Sequence, residues 1–326
     1  MQFKHIISLL VIVLVLQGCF WKEAGSWKNG RINSSQRSEF HDLDDKLLKG
    51  LKNDDNDQLG FIESKALIQN PSVIREVDLV SEEFKKSDYK LLDEYYVVNK
   101  YKDTDTVKTN TIGSNRYSVI YNGTTHEMYI AFFVQKTGRL KYMITAVFCK
   151  FNYGWKLDML DCGVYTINGK TAPQLYQAAQ SEYDKQYFVN ALNLSQLAHS
   201  CVRPGAIWAY AAEDSINAYY YRLEDESVNK LKYPIVLNTI STHPHIFKVF
   251  PGNFNDGYYP MVYYQSSINV NDTAAIRKEN NAMMKVLPSV IPGIDKDTKW
   301  LLFTAFNKLP NVKENVDRYE MDNKLK

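Results

Sequence analysis

Apolar residues recur along this chain with two different periods, and the switches between them divide it into blocks. From Phe40 to Leu51 the positions Phe40, Leu43, Leu47, Leu48 and Leu51 fall three and four residues apart, the spacing of one face of an amphipathic helix. A second helix is predicted from Val73 to Phe84, with Ser72 as its cap just after Pro71. Between residues 88 and 168 the period drops to two: Tyr117, Val119 and Tyr121; Met128, Ile130, Phe132 and Val134; Leu140, Tyr142, Ile144, Ala146 and Phe148. Asn122-Gly123, Thr137-Gly138 and Tyr153-Gly154 separate the runs and carry turn chemistry, so the block reads as an antiparallel meander.

Helical spacing returns at Thr171-Ala172-Pro173-Gln174, a capping-box pattern with an early proline. Leu175, Ala179 and Tyr183 continue one face; Phe188, Ala191, Ser195, Ala198 and Val202 continue a second, which ends at Pro204. Residues 171–204 are therefore predicted to be a helical hairpin. Strands are expected near 234–241, 245–250, 259–269 and 299–306, together with a helix capped by Asp272 that Pro288 stops at Leu287. The polar, Gly- and Ser-bearing stretch 19–38 is predicted to be a flexible tether, and the polar residues 311–326 a fraying tail.

The predicted fold class is α+β: two antiparallel-sheet units, 39–170 and 205–310, joined by the hairpin. Helices followed by a sheet that ends in Gly154-Trp155-Lys156-Leu157 and Val164-Tyr165-Thr166-Ile167 resemble the NTF2-like or cystatin-like fold over residues 60–168. The likeness is one of element order and carries no diagnostic motif.

The chain opens with Lys4 and His5, an apolar run from Ile6 to Leu16, and then Gln17-Gly18-Cys19. A charged start followed by an apolar stretch of about 7–15 residues is the pattern of a secretory signal, too short to span a bilayer permanently. Leu16-Gln17-Gly18-Cys19 resembles the bacterial lipobox. That resemblance implies removal of residues 1–18, a diacylglyceryl thioether on Cys19, fatty acylation such as palmitate, and a lipid-held place in the cell envelope. Phe20 stands where the resemblance would have an aspartate for inner-membrane retention, which implies the outer membrane in a cell that has two.

Hydrophobic residues make up 45% of the 326-residue chain and charged residues 23%, enough apolar material for real cores. A net charge of +2 lacks the basic excess of a nucleic-acid partner, and the absence of a Gly-rich phosphate loop leaves no cofactor expected. Beyond Cys19 the cysteines are Cys149, Cys162 and Cys201. A two-residue turn at Tyr153-Gly154 sets Cys149 opposite Asp158 and leaves Cys162 about 13 Å away, beyond the roughly 7 Å a disulfide spans. All three are expected to be small buried hydrophobes.

Candidate chemistry is sparse. Asp55-Asn56-Asp57-Gln58-Leu59-Gly60 begins like a calcium loop, which makes Asp55 and Asp57 the metal candidates, but Leu59 and Ala66 stand where oxygen ligands belong. His243-Pro244-His245 lacks a third ligand, and His41, His126 and His199 are scattered. Gly-x-Ser-x-Gly is absent, Ser64 directly precedes Lys65 at the wrong spacing for Ser-x-x-Lys, and no nucleophile stands beside an oriented base, so no catalytic residue is predicted. The 23 tyrosines include the runs Tyr219-Tyr220-Tyr221, Tyr258-Tyr259 and Tyr263-Tyr264. In strands each doublet would turn one ring outward. Trp208, Tyr219, Tyr221, Tyr259 and Tyr264 are the ligand-binding candidates on that reasoning. The expected function is a cell-envelope lipoprotein acting as a non-catalytic binding or assembly module, with the membrane and an envelope protein or glycan as partners. A glycan binder using exposed tyrosines and a membrane-tethered hydrolase with an NTF2-like pocket are the alternatives.

Overall fold

Strands that are apolar on both sides of the pleat need cover on both faces. The run Glu-Met-Tyr-Ile-Ala-Phe-Phe-Val-Gln, residues 127–135, is of this kind, and it lies at the centre of the first sheet. The computed structural model describes residues 22–69, 71–109, 112–255, 257–310 and 316–325, and of 71–77 only the backbone. Cys19 and the predicted signal peptide lie outside the described residues.

In chain order the first unit contains β1 (Gly25–Lys28), α1 (Ser34–Asn53), α2 (Asn56–Ile62), α3 (Lys65–Ile68), α4 (Pro71–Lys85), β2 (Tyr89–Val98), β3 (Thr104–Lys108), β4 (Tyr117–Asn122), β5 (Glu127–Gln135), β6 (Lys141–Phe151) and β7 (Gly154–Thr166). The antiparallel order β1-β2-β5-β6-β7 forms the central sheet. On one face Phe40, Leu47 and Leu51 of α1, with Leu59 of α2, pack against Tyr96, Tyr129, Phe133 and Phe148. Phe40 stacks on Tyr129 with centroids 4.3 Å apart.

The opposite face is covered by a second, small sheet and by the helical hairpin. The hairpin is α5 (Ala172–Asp184) and α6 (Phe188–Ser200); β8 (Trp208–Tyr210) and α7 (Glu213–Lys230) follow. The small sheet runs β3-β4-β8. The expected meander therefore holds for β5-β6-β7 but not for β4. At Asn122-Gly123 the chain leaves the plane, because Gly123 N–H bonds Asp103 O and β4 pairs with β3 and β8 instead of β5. Trp208, expected at the surface, is 1% exposed. It stacks on Tyr117 at 3.4 Å between centroids and meets Phe132 edge-on at 5.1 Å. Trp208 thus belongs to the first unit, and the predicted boundary at 205 moves toward the end of α7.

The predicted tether and tail are corrected where they are described. Gly25–Lys28 pairs with Tyr95–Val98, and Asn29 ties in by donating to Asp93 and accepting from Glu94 N–H. α1 then starts at Ser34, capped by Asn33, six residues before the predicted helix. The β6–β7 turn closes with Phe151 opposite Gly154, so Cys149 faces Lys156, and a bulge beside Phe148 brings Asp158 within 3.6 Å of the Cys149 thiol. All three described cysteines are free, Cys162 half-buried rather than buried. Burial pushes each thiol up to about 12, which leaves none of them a ready nucleophile.

The second unit is built from β9 (Ile235–Val236), β10 (His245–Phe254), β11 (Gly257–Gln265), α8 (Thr273–Val290), β12 (Trp300–Phe306) and β13 (Arg318–Lys324), in sheet order β13-β12-β11-β10-β9. The α+β class stands, but β11 and β12 are parallel, since α8 carries the chain back before β12 begins. Pro288 sits inside the last turn of α8 rather than ending it at Leu287. Residues 318–324, assigned to the tail, pair along the whole of β12. Tyr264 is fully buried against Phe303, so it too is withdrawn from the surface candidates.

Replacing Trp208 by Ala should cost about 3–5 kcal/mol, as for other buried aromatic truncations. Urea unfolding followed by near-ultraviolet circular dichroism will measure it. A loss below about 1 kcal/mol would show that the Tyr117–Trp208–Phe132 packing does not hold the two sheets together.

Candidate functional site

Three parts of the fold converge on a cleft of about 960 Å³. The hairpin forms its floor through α5 and α6, the far end of the first sheet contributes Arg139, Asn168 and Lys170, and the second unit contributes Pro251, Tyr258–Pro260 and 295–299. Asn168, at φ 54°, holds the two units in register: its amide donates to Tyr258 O at 2.7 Å and accepts from Tyr258 N–H at 2.8 Å. Gly257 allows this approach, because a Cβ there would meet the Asn168 Oδ1 atom at 2.5 Å. On the other side Asn190 donates to Gly293 O at 2.6 Å. Gly293 has φ 82°, and a side chain there would collide with the Tyr187 ring.

Each acidic group of the cleft has a described lysine partner, although Asp295 Oδ1 is buried without one. Glu182 accepts from Lys185 at 2.7 Å and from Asn190 at 3.1 Å, Asp297 pairs with Lys185 at 3.4 Å, and Asp295 with Lys296 at 3.0 Å. Arg139 donates to the Tyr259 hydroxyl at 3.2 Å. No described carboxylate pairs with Arg139, Lys170 or Lys299, so among the described residues basic side chains outnumber acidic ones around the cleft. Asn190 and Asn193 are 8% and 6% exposed, yet Asn190 Oδ1 and Asn193 Nδ2 have no described partner. A buried amide atom left without a hydrogen bond costs about 1–3 kcal/mol, and both atoms are shut off from solvent within the wall of the cleft.

Of the sequence candidates, the fold brings only Tyr259 to this cleft, and there its ring is buried, 4% exposed, rather than turned outward as expected. Tyr219 and Tyr221 lie on helix α7, not on a strand. The Arg222 guanidinium sits 4.8 Å over the Tyr219 ring, and of the two only Tyr221 is open to solvent. The outer face of the second sheet does carry aromatic rings, but Tyr263 meets Phe250 at 89° and Phe247 at 62°. Rings set edge to face fill one another's faces and leave no flat platform. Asp55 caps α2 by accepting from Gln58 N–H at 2.9 Å, and Asp57 lies within the first turn, so the calcium loop is replaced by a capped helix. The cleft residues Arg139, Lys170 and Lys299 carry no sequence signature. Asn190 and Asn193 do: they are polar positions three apart in the otherwise apolar start of α6, Phe-Val-Asn-Ala-Leu-Asn-Leu.

A second polar cluster is buried under α1. His41, Asp44 and Glu94 place one donor atom each within 4.8 Å of one another, a spacing a metal ion could use. Three of their four carboxylate oxygens have described partners: Arg37 bonds Glu94 Oε1 at 2.5 Å, His41 meets Glu94 Oε2 at 3.1 Å, and Tyr129 O–H reaches Asp44 Oδ2 at 2.6 Å and Glu94 Oε2 at 3.1 Å, while Asp44 Oδ1 is buried without one. A guanidinium on one carboxylate disfavours a second cation. Burial, opposed by the Tyr129 hydrogen bond and reinforced by Glu94 and Asp45, pushes the Asp44 carboxyl up to about 8. Neutral Asp44 explains how two carboxylates share a dry site.

Comparison with protein-family models, with curated proteins and with solved structures finds no match to this chain. No described helix is long and apolar enough to cross a membrane. Function is therefore read from the site itself.

Because Asp44 holds its proton in the folded chain up to about pH 8 and releases it near 3.8 when unfolded, its contribution to stability falls as pH rises across that interval. Thermal melts at about pH 5 and about pH 8 should show a steeper decline for the native chain than for Asp44→Asn. Equal slopes would mean that Asp44 titrates normally.

Proposed function

We propose that this chain is an exported lipoprotein, anchored through Cys19, whose inter-unit cleft binds an anionic carbohydrate without transforming it. The observation that carries the reading is the excess of basic over acidic side chains around one cleft, where Arg139, Lys170 and Lys299 have no carboxylate partner among the described residues. Cations suit a carboxylate or phosphate, amides suit hydroxyls, and Tyr258, Pro251 and Pro260 offer apolar surface to a sugar face. The cleft lies within the range of about 300–1,000 Å³ typical of small-molecule sites.

The alternatives receive less support. A hydrolase of the NTF2-like kind needs an open pocket on the sheet, and there Trp208, Tyr117 and Phe132 fill the space. A glycan strip on α7 would rest on the open ring of Tyr221.

A thermal-shift series on the mature chain with uronic-acid oligosaccharides, neutral oligosaccharides of equal length and inorganic phosphate tests the reading. A ligand at 100 times its Kd adds about 2.7 kcal/mol to stability. The acidic oligosaccharides should raise the melting temperature, added salt should reduce the rise, and the double substitution Arg139→Ala with Lys299→Ala should abolish it. Equal shifts with neutral sugars, or none with acidic ones, would overturn the anionic-carbohydrate reading.

Anchoring is tested separately. Cys19→Ala should leave the chain unable to float with membranes after a high-salt wash. Persistent flotation would overturn anchoring through Cys19.

A further inference from the structure

The central sheet has two ends, and β1 decides which of them faces the point of attachment. Gly25 opens β1 opposite Val98, the last residue of β2, and Val98 in turn lies opposite Glu127, the first residue of β5. Lys22 is held at the same end by Glu127 Oε2 at 2.7 Å and the Tyr96 hydroxyl at 2.9 Å. Cys19 is three residues before Lys22, a leash of about 11 Å when fully extended. β6 runs from Lys141 at the far end to Phe151 at this one, and eleven strand residues span about 35 Å. The leash is about a third of the sheet's length.

We propose that the end of the central sheet formed by 98–103, 124–127 and 150–154 rests on the bilayer surface, so that the cleft faces away from it; this rests on lipid anchoring at Cys19. The near end has the composition of a membrane-interface surface. Three aromatic residues are exposed there: Phe61 at 78%, Tyr101 at 69% and Tyr153 at 42%. Each is accompanied by a lysine. Lys100 lies 5.2 Å over the Tyr101 ring, Lys65 lies 5.2 Å over the Tyr153 ring, and Lys156 bonds the Phe61 carbonyl. Amphipathic rings with long basic side chains suit the headgroup layer, where apolar stems and rings insert and ammonium groups meet phosphates.

The acidic groups at this end do not oppose the contact equally. Glu127 is neutralised between Lys22 and Lys150, at 2.7 and 3.1 Å. Burial works against its charge, but Lys22, Tyr96 and Lys150 hold its carboxyl down at about 2. Asp103 turns its carboxylate onto Thr104 N–H at 2.7 Å, and Glu63 is half-buried beside β7. Of these four, Glu63 and Glu23 have no described partner for their carboxylates, and of the two Glu23 is exposed.

The test uses the lipidated full-length mature protein in vesicles of phosphatidylcholine and phosphatidylglycerol, with and without headgroup spin-labelled lipid. A thiol-reactive fluorophore is placed in turn at Tyr101→Cys and Tyr153→Cys, at Thr137→Cys in the far-end β5–β6 turn, and at Asn281→Cys on the exposed side of α8 in the second unit; the unsubstituted chain corrects for its own cysteines. Labels at 101 and 153 should lose most of their fluorescence to the spin label, while those at 137 and 281 keep theirs. Equal quenching at all four sites, or stronger quenching at 137 and 281, in a chain that floats with the vesicles would overturn the orientation and leave the anchor standing. A chain that neither floats nor carries the mass of acyl groups on Cys19 would overturn the anchor and the orientation with it.

Discussion

Everything else in this molecule depends on the two-sided burial of one sheet. β5 is nearly continuous in apolar residues and sits between β2 and β6, so neither of its faces can meet water. One face recruits α1 and the short helices after it, and the other recruits β3, β4, β8 and the hairpin. Distant chain segments are drawn to the same sheet for that reason: Phe40 stacks on one side, and Trp208 meets Phe132 on the other. The buried polar groups respect the same requirement. Asp44, Glu94 and Tyr129 share protons and hydrogen bonds beneath α1, since an isolated carboxylate there would be too costly.

The second unit is joined to this core by contacts that are few and specific. Asn168 behaves toward Tyr258 as a strand residue would, giving one hydrogen bond and taking one, and Asn190 reaches the Gly293 carbonyl on the other flank. Between these two fastenings the surfaces do not close, and the cleft is the space left over. Its chemistry comes from three sources that only the folded chain brings together: a turn of the first sheet, an asparagine pair on α6, and the 295–299 loop.

Periodicity made the elements of the core legible in the sequence. α1, β5, β6, the hairpin and α8 are where helical or alternating spacing places them, because each has one or two apolar faces to bury. What stayed hidden was pairing. Asn122-Gly123 carries the chemistry of a tight turn, yet a glycine also permits the backbone approach that sends β4 into another sheet. Short polar segments such as 25–28 and 318–324 have no hydrophobic signature, for they are edge strands held by backbone hydrogen bonds that any side chain allows. Tyrosine runs misled because period alone does not tell a helix from a strand over three residues: Tyr219–Tyr221 wind around α7. The lysines and arginine of the cleft are spread over 160 residues, and nothing local marks them. The asparagines of α6 were the readable clue, polar residues on a helix face that should have been apolar.

The last strand has a consequence for the behaviour of the chain in solution. β12, Trp-Leu-Leu-Phe-Thr-Ala-Phe, is buried along almost its whole length, and without β13 its backbone would be an open edge of high β-propensity and no charge. β13 replaces that edge with Arg318, Glu320, Asp322 and Lys324, charges of both signs on the outward side of the pleat. A second sheet approaching this border would have to strip water from four ions. The C-terminal strand thus acts as a selvedge, finishing the sheet with a border onto which neither another copy nor a nascent fibril can readily add.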